Sequence, residues 1–493
     1  MSQPAHATGK RIKAETLSDT LSGALEDLEE FVLSRQSKRG TVTDMLEFEK
    51  ALHAKLMGLE REIVKEELER ADVDVPAIVM EGTVYRRVLR AEEAYQTAAG
   101  QVRVMRTLYK DRKDEPARAV VPMELRLGLI EGRWTPLAAQ EAIWVVAHMT
   151  PKSARELFVR MGNMSPSRSS LDRLPKQLSA RWEEQREMFE STVRMTELVP
   201  DEAVTVAVSL DGVMAAMKDG EAVEKRAETA ALGRPTKGPA GYREVGCGTV
   251  SFYDEDGELL RAVRLGRMPE PSKETLKSML TSELGYALAQ RPDLRVVGLA
   301  DGAKDNWSYL SDVLGEVVKT TDILDFFHAA EHVNEAFGAA YGDGSVKARI
   351  AFVKWREILL EDPGGAEKLI RSIAHLRQQH PRSTVIARVL GYLRVNRHRM
   401  RYAEWRAEGL PIGSGVVESA CKMLVTQRMK NSGMRWTEEG GQAVLTARSW
   451  CLSDRFDRAW ATIAAKYKTE VRVIAPVIDM FDRGEKIGNI PSM

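Results

Sequence analysis

The chain has 493 residues, is 43% hydrophobic and carries 72 basic and 72 acidic side chains. That length predicts two to four domains with sizeable cores, and the sequence has no apolar run of about twenty residues to serve as a transmembrane helix. Cys247, Cys421 and Cys451 are odd in number and far apart, which excludes a disulfide framework and a Cys-x-x-Cys zinc site. The opening MSQPAHATGKRIKAET has charges but no apolar h-region, so a cytosolic protein is expected. Zero net charge does not suggest a nucleic-acid binder. The sum hides segregation, however: RVNRHRMR at 394–401 places four arginines and a histidine in eight residues, while LEDLEE and EREIVKEELE lie near the start.

Residues 1–115 read as an N-terminal helical region with a small β element. Leu46, Leu52, Leu56 and Leu59 recur at helical spacing within 12–72, and from 78 to 110 Val-, Thr- and Tyr-containing pieces surround Gly82 and Gly100. Residues 116–198 read as helical. Thr150-Pro151 is an N-cap and first-turn pair, Gly162 a stop, and Ser165-Pro166 a second start. Two short helices so joined suggest a helix-turn-helix, whose second helix would present Ser167, Arg168, Ser169 and Arg173 to base edges. A plain helical hairpin with a solvated basic face fits the same residues.

Beyond 199 the pattern changes to strands. Val204–Leu210 alternates large and small side chains as a half-buried strand ending on Asp211-Gly212. Tyr242–Tyr253 and Leu259–Leu265 follow, separated by the turn Asp254–Gly257. A helix with the stripe Leu276, Met279, Leu280, Leu284 and Leu288 precedes the apolar run Val296–Ala300, which ends on Asp301-Gly302. A further helix and a short strand to Asp325 complete an α/β sheet of mixed direction. From 326 to 412 almost everything reads helical, and Gly413-Ser-Gly415 precedes a helix from Val416 that carries Glu418.

Ligands gather at the carboxyl edge of open α/β sheets. Were the strands before Asp211 and Asp301 neighbours, the two carboxylates would converge there. Mg²⁺ takes hard oxygen ligands and needs only one or two carboxylates plus substrate phosphates. Two such ions, about 3.5–4 Å apart, serve the attacking and leaving oxygens of a phosphoryl transfer. Asp-Gly after a strand is also a common plain turn, so each aspartate alone means little; the pair at equivalent strand ends is what points to a site.

Five segments carry a family resemblance: SLDGV at 209–213, LADGA at 299–303, DFFH at 325–328, IGSGVVESA at 412–420 and QRMKNSGMRW at 427–436. Together they resemble bacterial insertion-sequence transposases of the ISKra type, over roughly residues 200 to 460. Such enzymes are relatives of the Mutator-like group, with an RNase H-like catalytic core and an Asp-Asp-Glu triad. The resemblance implies that Asp211 and Asp301 are the first two catalytic and metal-holding acids, and that Glu418 is the third. His328 would be a further catalytic-site residue, and Asp325 would complete its Asp-x-x-His motif. It also implies an RNase H-like core over 199–330 and 413–465, interrupted by an all-helical insertion over 331–412, a mainly helical N-terminal DNA-binding region, and a C-terminal tail at 466–493. Relatives are expected to carry cysteine pairs near the N-terminus, and no cysteine precedes Cys247 here.

The chemistry implied is cleavage of DNA at transposon ends and joining of the 3′-hydroxyls to target DNA with Mg²⁺, for which Mn²⁺ can substitute. The partners implied are double-stranded DNA and a second copy of the chain, with no membrane, in a bacterial nucleoid setting. Arg394, Arg397, Arg399 and Arg401, then Arg428, Lys430 and Arg435, would track phosphates. Trp436 or Trp405 would stack on a base, unless core packing claims them. Two readings compete. One is a catalytically inactive DNA-binding protein derived from a transposase. The other is a zinc hydrolase, since His328-Ala-Ala-Glu331-His332 matches the H-x-x-E-H pattern, although no third ligand accompanies it.

Overall fold

A computed structural model of the chain describes residues 18–36, 44–111, 119–218, 220–234, 241–431 and 433–473. Most of the expected C-terminal tail lies outside the described residues. The chain divides into two compact units. One comprises Met1–Ala142, Thr150–Leu174 and Ile463–Met493, the other Ile143–Met149 and Pro175–Thr462.

The smaller unit opens with helices Asp19–Gln36 and Met45–Ala71; Asp44 caps the second, its carboxylate accepting from the Glu47 amide at 3.2 Å. The β element that follows occupies the stretch expected, with one strand added from far along the chain. Strands β1 (Ala77–Met80), β2 (Thr83–Thr97) and β3 (Gly100–Lys110) form an antiparallel sheet, to which Arg472–Val473 adds a short fourth strand beside β1. Along β3, Val102 and Val104 point inward while Arg103 and Met105 point out, the period of two that a one-sided sheet requires. Along β2 the five residues Arg86–Arg90 are all exposed, Val88 and Leu89 among them, so no such period is kept there.

The Pro151–Met161 helix is bounded as expected, with Thr150 accepting from the Ser153 amide at 3.1 Å and Gly162 left-handed at φ 75°. The next helix begins at Arg168 rather than at Pro166, because the Ser167 hydroxyl caps it through the Ser170 amide at 3.0 Å. The connection Gly162–Ser167 is therefore longer than the three or four residues typical of a helix-turn-helix.

The larger unit is a mixed α/β structure. Its five strands are β4 (Thr205–Ala216), β5 (Tyr242–Tyr253), β6 (Leu259–Arg267), β7 (Arg295–Ala300) and β8 (Thr320–Leu324). They lie in the order β6-β5-β4-β7-β8, with β4 antiparallel to β5, β5 antiparallel to β6, and β4, β7 and β8 mutually parallel. The β5–β6 turn is held by Asp254, whose carboxylate accepts from the amides of Asp256 and Glu258 at 3.0 and 2.8 Å. Thr205–Leu210 is buried throughout rather than half-buried, because β4 is the middle strand and both its faces are covered. One face meets the Glu274–Gln290 helix, where Leu276 and Leu280 fill the space left by Gly246 and Gly248 of β5. On the other face Leu424 and Leu445 close over Gly266 of β6.

After β8 the chain is helical: Phe326–Tyr341, Val346–Glu361, Gly365–Gln379, Thr384–Asn396 and Tyr402–Ala407. This segment shares one core with the sheet, Val333, Phe337, Leu369, Ile373 and Leu393 packing in a cluster with Val206, Val297 and Ile323. It leaves and rejoins at one place, since the Phe326 amide donates to the Ile412 carbonyl at 2.9 Å. No helix among the described residues is long and apolar enough to cross a membrane.

Candidate active site at the carboxyl edge of the parallel strands

Ser209 of β4 pairs with Leu299 of β7, and Ala300 of β7 with Leu324 of β8. Carrying that register forward sets Asp211, Asp301 and Asp325 level on three adjacent strands. Neighbouring strands lie roughly 4.8 Å apart, so the three acids start from adjacent backbone positions along one edge of the sheet. The condition left open by the sequence, that the strands before Asp211 and Asp301 be neighbours, is met. One detail differs: β4 does not end at Asp211-Gly212 but continues to Ala216, because β5 keeps pairing with it as far as Tyr242. Only the parallel partner stops, so Asp211 stands where β4 is paired on one side alone.

Each acid is held differently. Asp211 Oδ1 accepts from the Gly212 amide at 2.7 Å, and Oδ2 from the Cys421 thiol at 3.4 Å. Burial pushes its carboxyl above the usual range; those two donors pull it back, and the charge of Asp301 pushes it up again. Asp301 Oδ1 accepts from the Ala303 amide and from Asn306 Nδ2, both at 3.0 Å. Asn306, buried, also donates to the Leu210 carbonyl at 3.1 Å and so ties the second acid to the strand of the first.

Asp325 is fully buried. It caps the helix that follows, accepting from the His328 amide at 2.5 Å, and its other oxygen takes the Ser414 amide. Ser414 in turn donates its hydroxyl to Glu418 Oε1 at 3.0 Å. Glu418, exposed on the Gly415–Ala420 helix, is thereby linked through Ser414 to the sheet edge. The helices behind Asp301 and Glu418 both widen into π turns, at Ser308–Val313 and Cys421–Thr426, a feature that often accompanies functional sites.

Among the described residues no three His, Cys, Asp or Glu side chains stand close enough to grip one ion. Asp211 and Glu418 each give an oxygen to a protein donor, Cys421 and Ser414 respectively. The donors of the three acids are all carboxylate oxygens, the chemistry that suits Mg²⁺ or Mn²⁺. Comparison with protein-family models and with curated proteins finds no match.

The helical segment also reaches the site. The ring of Tyr392 occupies the place a Cβ on Gly302 would take, and packs against His332 with centroids 4.2 Å apart and the rings tilted by 50°. Its hydroxyl is held above its ordinary range by burial and by Asp301 and Asp325. Gly302→Ala is therefore expected to push Tyr392 aside, costing about 1–3 kcal/mol as an overpacked substitution; a lowered melting midpoint checks this. His328 and His332 lie with ring centroids 6.2 Å apart, and His332 Nδ1 is 3.3 Å from Glu335. Glu331 is exposed.

The expected DNA-contacting residues divide. Arg394, Arg397, Arg401, Lys430 and Arg435 are exposed, as are Arg168, Ser169 and Arg173 in the first turns of their helix. Arg399 instead lies 3.9 Å over the Trp307 ring and donates to Asn396 and Ser311, both at 3.2 Å. Arg428 is buried, donates to the Val146 carbonyl at 3.4 Å and sits 5.3 Å over Trp436. Trp436 is half-buried, its indole donating to the Met429 carbonyl at 2.9 Å, and Trp405 is buried. Arg399, Arg428 and both tryptophans are thus engaged inside the fold. Asn306 and Cys421 carry no signal in the sequence beyond lying near the acids they hold, while Ser414 lies inside the IGSGVVESA segment without its role being marked there.

Proposed function

We propose that this chain is a DDE transposase with an RNase H-like core, which cuts DNA at the ends of its own insertion sequence and joins the 3′ ends to target DNA. The observation that carries the reading is the placement of Asp211 and Asp301 level on adjacent parallel strands, with Glu418 fastened to the same edge through Ser414 and Asp325. The mixed five-stranded sheet supports it, as does the all-helical segment between the last strand and the Glu418 helix. So does the order of the five motif segments, which resembles ISKra-type enzymes. Asp211, Asp301 and Glu418 would hold Mg²⁺ or Mn²⁺, which when bound neutralises charge on the scissile phosphate. Asn306 and Cys421 orient the first two acids, and the exposed Arg394, Arg397, Arg401, Lys430 and Arg435 offer charge to the DNA backbone. Two DNA ends must be held together, so the working form proposed is a homodimer, acting at the bacterial nucleoid.

Incubating the protein with candidate end DNA and Mg²⁺ tests this. Wild type is expected to release 3′-hydroxyl ends and strand-transfer products, and Glu418→Gln to lose at least about a hundredfold in rate, roughly the loss of one transition-state contact. Equal products from both proteins reject the role of Glu418. Tight DNA binding without products from either favours the inactive DNA-binding reading.

A further inference from the structure

We infer that Cys421 is a positioning residue for the first acid, its thiol orienting the Asp211 carboxylate and docking the Glu418 helix against β4. This rests on the proposed reading of the three acids as one site. The Cys421 thiol donates to Asp211 Oδ2 at 3.4 Å. Cys421 follows Glu418 by three residues, so both lie on one side of the same helix, and the π turn starts at Cys421 itself. In the β4–β5 register Cys247 stands opposite Asp211, and the two cysteines are buried in one cluster with Ala215, Val245 and Leu424.

Apolar walls explain the residue type. A thiol is a weak donor that behaves as a small hydrophobe on its other sides, so Cys421 can meet both the Asp211 carboxylate and the neighbouring Cys247 thiol within an apolar wall. The Gly212 amide fixes Oδ1 and Cys421 fixes Oδ2. With both oxygens oriented, Asp211 cannot rotate away from the level it shares with Asp301. Partners of this kind around a ligating side chain typically alter metal affinity by roughly 10–100-fold, and a thiol belongs at the lower end.

The experiment uses the full chain, Mn²⁺ alone as probe, and nicking of supercoiled plasmid in Mn²⁺. Mn²⁺ binding is read by electron paramagnetic resonance of the free ion, and melting by scanning calorimetry. Cys421→Val keeps the bulk and removes the donor; Cys421→Ser keeps a donor. The valine variant is expected to need roughly tenfold more Mn²⁺ for half-saturation, with a smaller change in the nicking rate at saturation and an unchanged melting midpoint. The serine variant is expected to recover most of the Mn²⁺ affinity. Valine with wild-type Mn²⁺ half-saturation overturns the inference, as does a serine variant no better than valine. A wild-type protein that neither binds Mn²⁺ nor nicks DNA overturns the reading of the three acids, and the inference with it.

Discussion

On the proposed transposase reading, Asp301→Asn is expected to lower DNA cleavage by on the order of a thousandfold or more, while leaving the fold as stable as wild type or slightly more so. The isosteric amide keeps its Oδ1, so the bonds from the Ala303 amide and Asn306 survive. The negative charge on the other oxygen is what disappears. Several kcal/mol of transition-state charge stabilisation ride on a metal-holding carboxylate, and each 1.36 kcal/mol is tenfold in rate. Stability moves the other way because Asp301 raises the pKa of Asp211. A carboxyl whose folded pKa is raised binds protons more readily when folded, so it destabilises as pH rises through that window. Removing the neighbouring charge relieves part of that, and the gain should be largest at pH 7 and shrink toward pH 4 as Asp211 takes up its proton. Calorimetry at the two pH values checks the stability half. Added Mn²⁺ should raise the melting midpoint of wild type and not of the variant. Undiminished nicking by Asp301→Asn would falsify the catalytic reading.

The second large effect lies away from the site. Arg455→Ala is expected to destabilise the larger unit by about 3–5 kcal/mol, the cost of breaking a buried ion pair from one side. Arg455 is buried and grips two buried carboxylates. It donates to both oxygens of Glu197 at 2.8 and 2.6 Å and to both of Glu283 at 2.9 and 2.7 Å. Arg194 reaches Glu283 at 3.2 Å, Arg458 reaches Glu197 at 3.0 Å, and Arg261 also pairs with Glu197. Burial opposes the charge of Glu197, yet Arg455 and Arg261 outweigh it and hold its pKa below the usual value. Nearby Glu190, with weaker support from Arg186 and Arg194, is pushed up to about 7 by burial. A lowered pKa contributes stability above the unfolded value that is lost as pH falls through the folded one. The penalty of Arg455→Ala should therefore be greatest near pH 7 and shrink toward pH 4. A loss that does not vary with pH between those values would show that packing, not the ion pairs, carries it.

How far the sequence foretold this molecule differs from element to element. The limits of β5 are read from the strand-forming run that the Asp254–Gly257 turn closes, and the stripe along Glu274–Gln290 from the helical period that burial on one face imposes. Asp211 and Asp301 stand out because a strand ends, or loses its parallel partner, where an acid begins. The span of β1 to β3 and their turns at Gly82 and Gly100 follow from the Val-, Thr- and Tyr-containing pieces of 78–110, whereas the exposed run Arg86–Arg90 conceals which face of β2 is covered. Arg399 and Arg428 look like phosphate contacts in a string of basic residues; only the fold reveals that one lies on Trp307 and the other is sealed beside Trp436. Asp325 came with a motif, but its burial and its hold on Ser414 depend on a contact across 89 positions of sequence. No local pattern encodes such a contact.

That contact has a consequence for the helical segment. With the Phe326 amide bonded to Ile412 and the Ser414 amide to Asp325, the chain departs and comes back through a single fastened doorway. Distance along the chain between Asp325 and Glu418 is thereby uncoupled from distance in space. Closure entropy grows only with the logarithm of the length enclosed, so helices can be lengthened, shortened or replaced within that detour at little entropic cost to the spacing of the acids. What must be preserved is the surface that packs on the sheet and the Tyr392 ring over Gly302, not the number of residues between the two ends.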